Sequence, residues 1–103
     1  MTDQATFLAD LDIEIPNEGT LSKVVYKDDR IRVVAFAFDE GQELTEHTAA
    51  SPATIHIVSG RFRMTLGDQT VEAGTGSWTH MPAQLPHSVL ALEPSVMLLT
   101  LLK

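Results

Sequence analysis

The chain has no cysteine among its 103 residues. Disulfides, thiolate nucleophiles and cysteine-type zinc sites are therefore excluded, and any metal would have to be bound by His, Asp or Glu. Long hydrophobic runs are missing too, because no apolar stretch approaches the ~18 residues that a membrane-spanning helix needs. We therefore expect a soluble, cytoplasmic protein with no membrane partner.

Basic residues are scarce. Seven Lys and Arg stand against 14 Asp and Glu, which gives a formal net charge of −7. The basic residues are scattered without forming a stripe, and an acidic protein repels a phosphate backbone. We expect no nucleic-acid partner. The length allows one hydrophobic core and therefore a single domain.

Helical periodicity is nearly absent. Only the segment near Thr6 to Asp12 could form one short helix. The acidic residues around it indicate that residues 1–23 are a solvated lead-in. Residues 24–103 contain many short runs of β-branched and aromatic residues separated by Gly, Pro and Asp turns. This pattern predicts an all-β antiparallel sandwich or barrel of the jelly-roll or cupin type.

Two of the predicted strands are apolar on both faces. They are VVAFAF at residues 33–38 and VMLLTLLK at residues 96–103. Together they carry more apolar surface than one small sandwich can hide, which predicts a homodimer. We expect a charge at Leu99 or Leu101 to produce a monomer or an aggregate.

Two spaced sets of glycine, proline and histidine stand out. In the first, Gly41 is followed after five residues by His47, and Gly60 closes the stretch. In the second, Gly76 is followed after five residues by Pro82 and then by His87. From Val24 to Leu102 the chain resembles the small single-domain cupins of the conserved-barrel type, whose two metal motifs have this outline.

The first metal motif is degenerate. The resemblance places Ala49 at its second histidine position and Ala53 at its glutamate position, while Gln84 stands at a glycine position of the second motif. It implies that His47 and His87 are ligands. A divalent site generally takes three protein ligands, so further ligands must come from elsewhere in the chain.

Two other histidines are available. His80 shares a strand face with Trp78, so it points into the barrel if Trp78 does, and it is the preferred third ligand. Alternation with Ile55 and Ile57 places His56 on the opposite face unless a one-residue register shift reverses it, so His56 is a second-rank ligand.

The resemblance implies two functional alternatives. With His47, His80 and His87 around a divalent transition metal (Fe, Cu, Zn, Ni or Mn), the chain would be a dioxygenase-like oxidoreductase acting on a small molecule. Without a metal, it would be a cupin that binds or senses a small molecule, or a structural dimer, with His47 and His87 as hydrogen-bonding groups. In either case the predicted pocket walls are Phe36, Phe38, Phe62, Met64, Trp78 and Val89.

Overall fold

The computed structural model describes residues 4–103, which form nine β-strands and no helix. The strands are β1 (Thr20–Lys27), β2 (Ile31–Phe38), β3 (Glu43–His47), β4 (Ala53–Ser59), β5 (Arg61–Leu66), β6 (Gln69–Gly74), β7 (Trp78–Met81), β8 (His87–Ala91) and β9 (Ser95–Leu102). In this part of the chain no helix could span a membrane.

The strands form two antiparallel sheets. The five-stranded sheet has the order β1-β2-β9-β4-β7, and the four-stranded sheet has the order β3-β8-β5-β6. Most neighbours within each sheet are distant in sequence, as expected when the strands of a jelly roll pass between two packed sheets. The predicted all-β, double-stranded antiparallel fold is confirmed.

The N-terminal lead-in has no helix between Thr6 and Asp12. The side chain of Asp10 instead accepts a hydrogen bond from the amide of Asp12 at 2.7 Å, a local turn that competes with helix formation. Strand β1 begins at Thr20, before residue 24, where the barrel was predicted to start.

The core lies between the two sheets. Phe38 and Phe62 are fully buried and meet edge to face with ring centroids 5.1 Å apart. The rest of the buried cluster consists of Ala53, Ile55, Ile57, Met64, Ala73, Met81, Val89, Ala91 and Met97. Strand alternation explains this set, because every second residue of a strand faces the same side of its sheet.

Strand β2 is apolar on both faces because both are covered within the monomer. Ala35 and Ala37 face away from the core, yet both are 0% exposed. The lead-in crosses this outer face, where Lys23 donates a hydrogen bond to the carbonyl of Asp12 at 2.9 Å. The lead-in thus covers part of the apolar surface that the sequence pattern predicted a second subunit would bury.

The orientation of β9 corrects the prediction that Leu99 and Leu101 belong to a surface that a second subunit covers. Leu99 and Leu101 pack against the core cluster, and the outward positions beside them are Leu98 and Thr100. A charge at Leu99 or Leu101 would therefore disrupt the monomer's own core. These two residues are partly buried and do not lie on the outer face of the sheet.

Candidate functional site

Two of the four histidines meet at one end of the four-stranded sheet. His47 ends β3 and His87 begins β8, and the antiparallel register places them directly opposite one another. Their ring centroids lie 4.2 Å apart with the ring planes inclined at 59°. His87 is 7% exposed, whereas His47 is open to solvent. The two motifs of the sequence therefore converge on one pair of imidazoles.

Each ring is held by a backbone carbonyl two residues earlier in the chain. The Nδ1 atom of His47 lies 2.8 Å from the oxygen of Thr45, and that of His87 lies 2.8 Å from the oxygen of Leu85. A carbonyl can only accept, so Nδ1 must carry the hydrogen in both rings. In the neutral rings, Nε2 is then left with its lone pair free to accept a hydrogen bond or bind a metal.

The other two ligand positions of the first motif carry alanine, which has no side-chain atom that could bind a metal. Ala53 is 3% exposed and pairs with Met81 on one side and Leu101 on the other, so its surroundings are apolar. Ala49 contributes its backbone oxygen, which accepts a hydrogen bond from the amide of Gln84 at 2.8 Å. This hydrogen bond joins the loop that follows His47 to the loop that precedes His87.

The structure separates the other two histidines from this pair. In the pairing of β4 with β7, Thr54 stands opposite His80 and His56 opposite Trp78. All four face away from the core, because their neighbours along the two strands include the buried Ala53, Ile55 and Met81. His56 and His80 are exposed to solvent on the outside of the five-stranded sheet.

The proposed three- and four-histidine ligand sets are therefore not assembled. In residues 4–103 no group of three or more His, Asp or Glu side chains is placed to hold a metal ion. Strand alternation correctly placed His80 on the same face as Trp78. The prediction that this face points into the barrel was wrong. The register between β7 and β4 fixes that face, and it puts the two side chains outside.

Trp78 is likewise not a pocket wall, since it is 64% exposed on the outer face. Four other residues predicted to line a pocket, Phe38, Phe62, Met64 and Val89, are 0–3% exposed and form part of the core cluster, against which Phe36 packs. A groove of about 440 Å³ lies elsewhere, between the lead-in and the outer face of β1, β2 and β9. The groove holds Tyr26, whose hydroxyl donates to Asp28 at 2.6 Å, but none of the motif histidines. We assign the candidate site to the histidine pair, because both sequence motifs meet there.

Sequence reasoning gave no role to Gln84. Its φ of 68° is in the left-handed region, which glycine adopts most easily. The signal was present in the sequence, because Gln84 occupies a glycine position of the second motif. The backbone thus keeps the turn that the motif requires, although the residue has changed.

Comparison with known proteins agrees with this architecture. A cupin-domain family model matches residues 34–101. No curated protein matches the chain. Among solved structures, a conserved protein of unknown function from Streptococcus pyogenes is 28% identical, with a TM-score of 0.86 over 97% of this chain and 90% of that one.

Two further structures show the fold. A cupin superfamily protein from Desulfitobacterium hafniense is 23% identical, with a TM-score of 0.83 over 87% of this chain and 83% of that one. An RmlC-like cupin from Desulfovibrio desulfuricans is 22% identical, with a TM-score of 0.85 over 96% and 97% of the two chains. Because the family model covers more than half of its length, the chain belongs to the cupin family.

Proposed function

We propose that this cupin binds a small molecule through the Nε2 atoms of His47 and His87, without a resident metal. The observation that carries the proposal is the composition of the site, where residues 4–103 bring two imidazoles together but no third His, Asp or Glu ligand. Catalytic metal sites generally use three protein ligands and leave a position open for water or substrate. The donor set therefore does not fit the divalent metal that the family resemblance implies, and a dioxygenase reaction lacks its metal centre.

The hydrogen bonds at Nδ1 of His47 and His87 determine which ligand groups the pair can bind. Because Nδ1 of both rings lies against a carbonyl oxygen, the two rings, whose centroids are 4.2 Å apart, have their Nε2 atoms left as a pair of acceptors. A ligand complementary to them carries hydroxyl or amine hydrogens. Leu66, which pairs with His87 and is partly buried, adds apolar surface beside the pair. We therefore assign the ligand to small hydroxylated molecules with an apolar flank.

A test compares two matched variants by NMR of the histidine rings. Protein without an affinity tag is titrated with a linear polyol and with a hexose, and the ring nitrogens are followed by ¹⁵N shifts. His47→Gln removes one member of the pair, and His80→Gln makes the same change at an exposed histidine on the outer face. We expect the His87 ring to shift on titration in wild type and His80→Gln, and to stay fixed in His47→Gln. Shifts that survive His47→Gln would contradict the proposal.

Metal binding by the pair is the second candidate. It is favoured by one observation: a ring anchored through Nδ1 with Nε2 free is the usual arrangement of a metal-binding histidine. Elemental analysis after loading with Fe, Cu, Zn, Ni or Mn and gel filtration separates the candidates. One metal per chain, lost in His47→Gln and kept in His80→Gln, would replace the metal-free proposal; a metal-free wild type supports it.

A further inference from the structure

Two basic residues lie on the inner face of the five-stranded sheet, at one end of the barrel. Lys27 ends β1 and Arg32 is the second residue of β2, and the register places them directly opposite one another. On its other side Arg32 pairs with Leu101, which packs against the core cluster. Paired residues of a sheet point to the same face, so both basic side chains are on the core side. Both are exposed, because they lie at the open end of the barrel.

The histidine pair lies at the same end of the barrel. The row of residues that crosses the five-stranded sheet from Arg32 includes Ala53, the first residue of β4. His47 is the last residue of β3, so only the loop of residues 48–52 separates it from Ala53. In the facing sheet, His47 and His87 form the last paired row at this end. We call this end of the barrel the mouth.

The strands that carry Arg32 and His47 also face one another across the barrel. They are β2 and β3, which belong to different sheets and are joined at the opposite end by residues 39–42. Packed sheets lie about 10 Å apart, and the arginine side chain is long. One small molecule in the mouth can therefore contact the guanidinium on one sheet and the imidazoles on the other.

The positive charges of Lys27 and Arg32 have no acidic partner in the described part of the chain. Within residues 4–103 neither side chain makes a hydrogen bond or an ion pair. The carboxylate of Asp28, the next residue, instead accepts hydrogen bonds from the Tyr26 hydroxyl and from two backbone amides. Like charges directly opposite each other destabilise a sheet, and a bound anion would relieve this repulsion. The arrangement therefore favours an anionic ligand, although the chain as a whole is acidic.

We propose that Arg32 binds a carboxylate of the ligand, with Lys27 beside it, while the Nε2 atoms of His47 and His87 accept hydrogen bonds from its hydroxyl groups. This inference rests on the proposed function, and it narrows the ligand class to small hydroxy acids. The planar fork of a guanidinium matches a carboxylate, and such charge-assisted hydrogen bonds are roughly twice as strong as neutral ones. Arg32 is therefore the residue that selects an acid over a neutral polyol.

Gluconate and glucitol test this selection, because they share one linear hydroxylated carbon chain and only gluconate carries a carboxylate. Untagged protein, freed of metal on a chelating resin, is titrated with each compound at about pH 8, where histidine is ordinarily neutral. The His87 ring is followed by ¹⁵N shifts, and the backbone amides of β1 and β2 are followed in parallel. Sodium chloride at matched ionic strength gives the background. We expect gluconate to bind roughly tenfold more tightly than glucitol, or better.

Two variants separate Arg32 from overall charge. Arg32→Gln and Arg63→Gln each remove one positive charge, which changes the formal net charge from −7 to −8. Arg63 is exposed on the outer face of the four-stranded sheet, 4.0 Å from Glu72. We expect gluconate to bind no better than glucitol in Arg32→Gln. In Arg63→Gln its affinity should stay within about twofold of wild type, because salt screens distant exposed charges.

Loss of stability does not explain the expected loss of binding, because Arg32→Gln removes the repulsion from Lys27. Circular dichroism establishes that both variants are folded before they are compared. Equal affinities for the two compounds in wild type, or equal loss of gluconate affinity in the two variants, would overturn the role of Arg32.

The two readouts distinguish this inference from the proposed function. If both compounds shift the His87 ring with equal affinity, the histidine site stands and the selection by Arg32 is wrong. If gluconate shifts the amides of β1 and β2 in wild type but not in Arg32→Gln, and the His87 ring never shifts, Arg32 binds the anion and the proposed function is wrong. No shift with either compound would overturn both.

Discussion

Replacing Gly60 with alanine should destabilise the protein by about 2–5 kcal/mol. Gly60 joins β4 to β5 with a φ of 96°, and a β-carbon there would lie 2.0 Å from the hydroxyl oxygen of Ser95 and 2.8 Å from the carbonyl oxygen of Pro94. Ser95 is fully buried and its hydroxyl oxygen accepts a hydrogen bond from the amide of Arg61 at 3.0 Å, so it has little freedom to move. Overpacking of this kind costs roughly 1–3 kcal/mol, and left-handed backbone adds about 1–2 kcal/mol.

The assay is urea denaturation followed by circular dichroism, with the free energy of unfolding extrapolated to water. Gly41→Ala is the matched control, because Gly41 also has a positive φ, 82°, but its β-carbon would meet no atom within 4 Å. The control should lose only the backbone contribution of about 1–2 kcal/mol. If the two variants lost the same free energy, the steric argument at Gly60 would be refuted.

Three other variants test the core, the pKa of one carboxyl group and one exposed ion pair. Phe62→Ala removes a fully buried ring and should cost about 3–5 kcal/mol of unfolding free energy; a loss below 1 kcal/mol would contradict the core assignment. The hydrogen bond from Tyr26, with backbone amides, lowers the pKa of Asp28 to about 2, so its stabilisation is present above about pH 4 and is lost as the pH falls towards 2. Tyr26→Phe should raise this pKa in a carboxyl ¹³C titration, and an unchanged value would refute the assignment. Glu72→Gln breaks an exposed ion pair with Arg61 and should change the stability by less than about 1 kcal/mol in urea denaturation.

Alternation along the chain predicted several faces correctly. In β5, apolar and basic residues alternate along the sequence, and Phe62 and Met64 are buried while Arg61 and Arg63 are exposed. The pattern also placed His56 opposite the core side of β4. It succeeded in these strands because one face is buried and the other is solvated, so the side-chain period of two appears directly as a pattern of polarity.

Alternation did not show which face of a strand points to the core when both faces are apolar. It also failed when the strand pairs only with strands that are distant in the sequence. In β9, Leu98 and Leu99 are alike in sequence, and only the pairing with β2 and β4 shows that Leu99 faces the core. For β7, which has four residues, alternation joined Trp78 to His80 without showing which way the pair points. Both cases needed a register with a strand far away in sequence.

Composition and residue spacing were enough to predict the strand-rich fold, the cysteine-free chemistry and the two motifs that carry His47 and His87. The folded structure was needed to show that the rings of these two histidines lie 4.2 Å apart, that His80 is on the outer face, and that the lead-in covers β2 but leaves Trp78 exposed. The physical reason is that local alternation fixes only the relative sides of neighbouring residues. The absolute side is set by hydrogen-bonded pairing between distant strands, and a shift of one residue in that pairing exchanges the two faces.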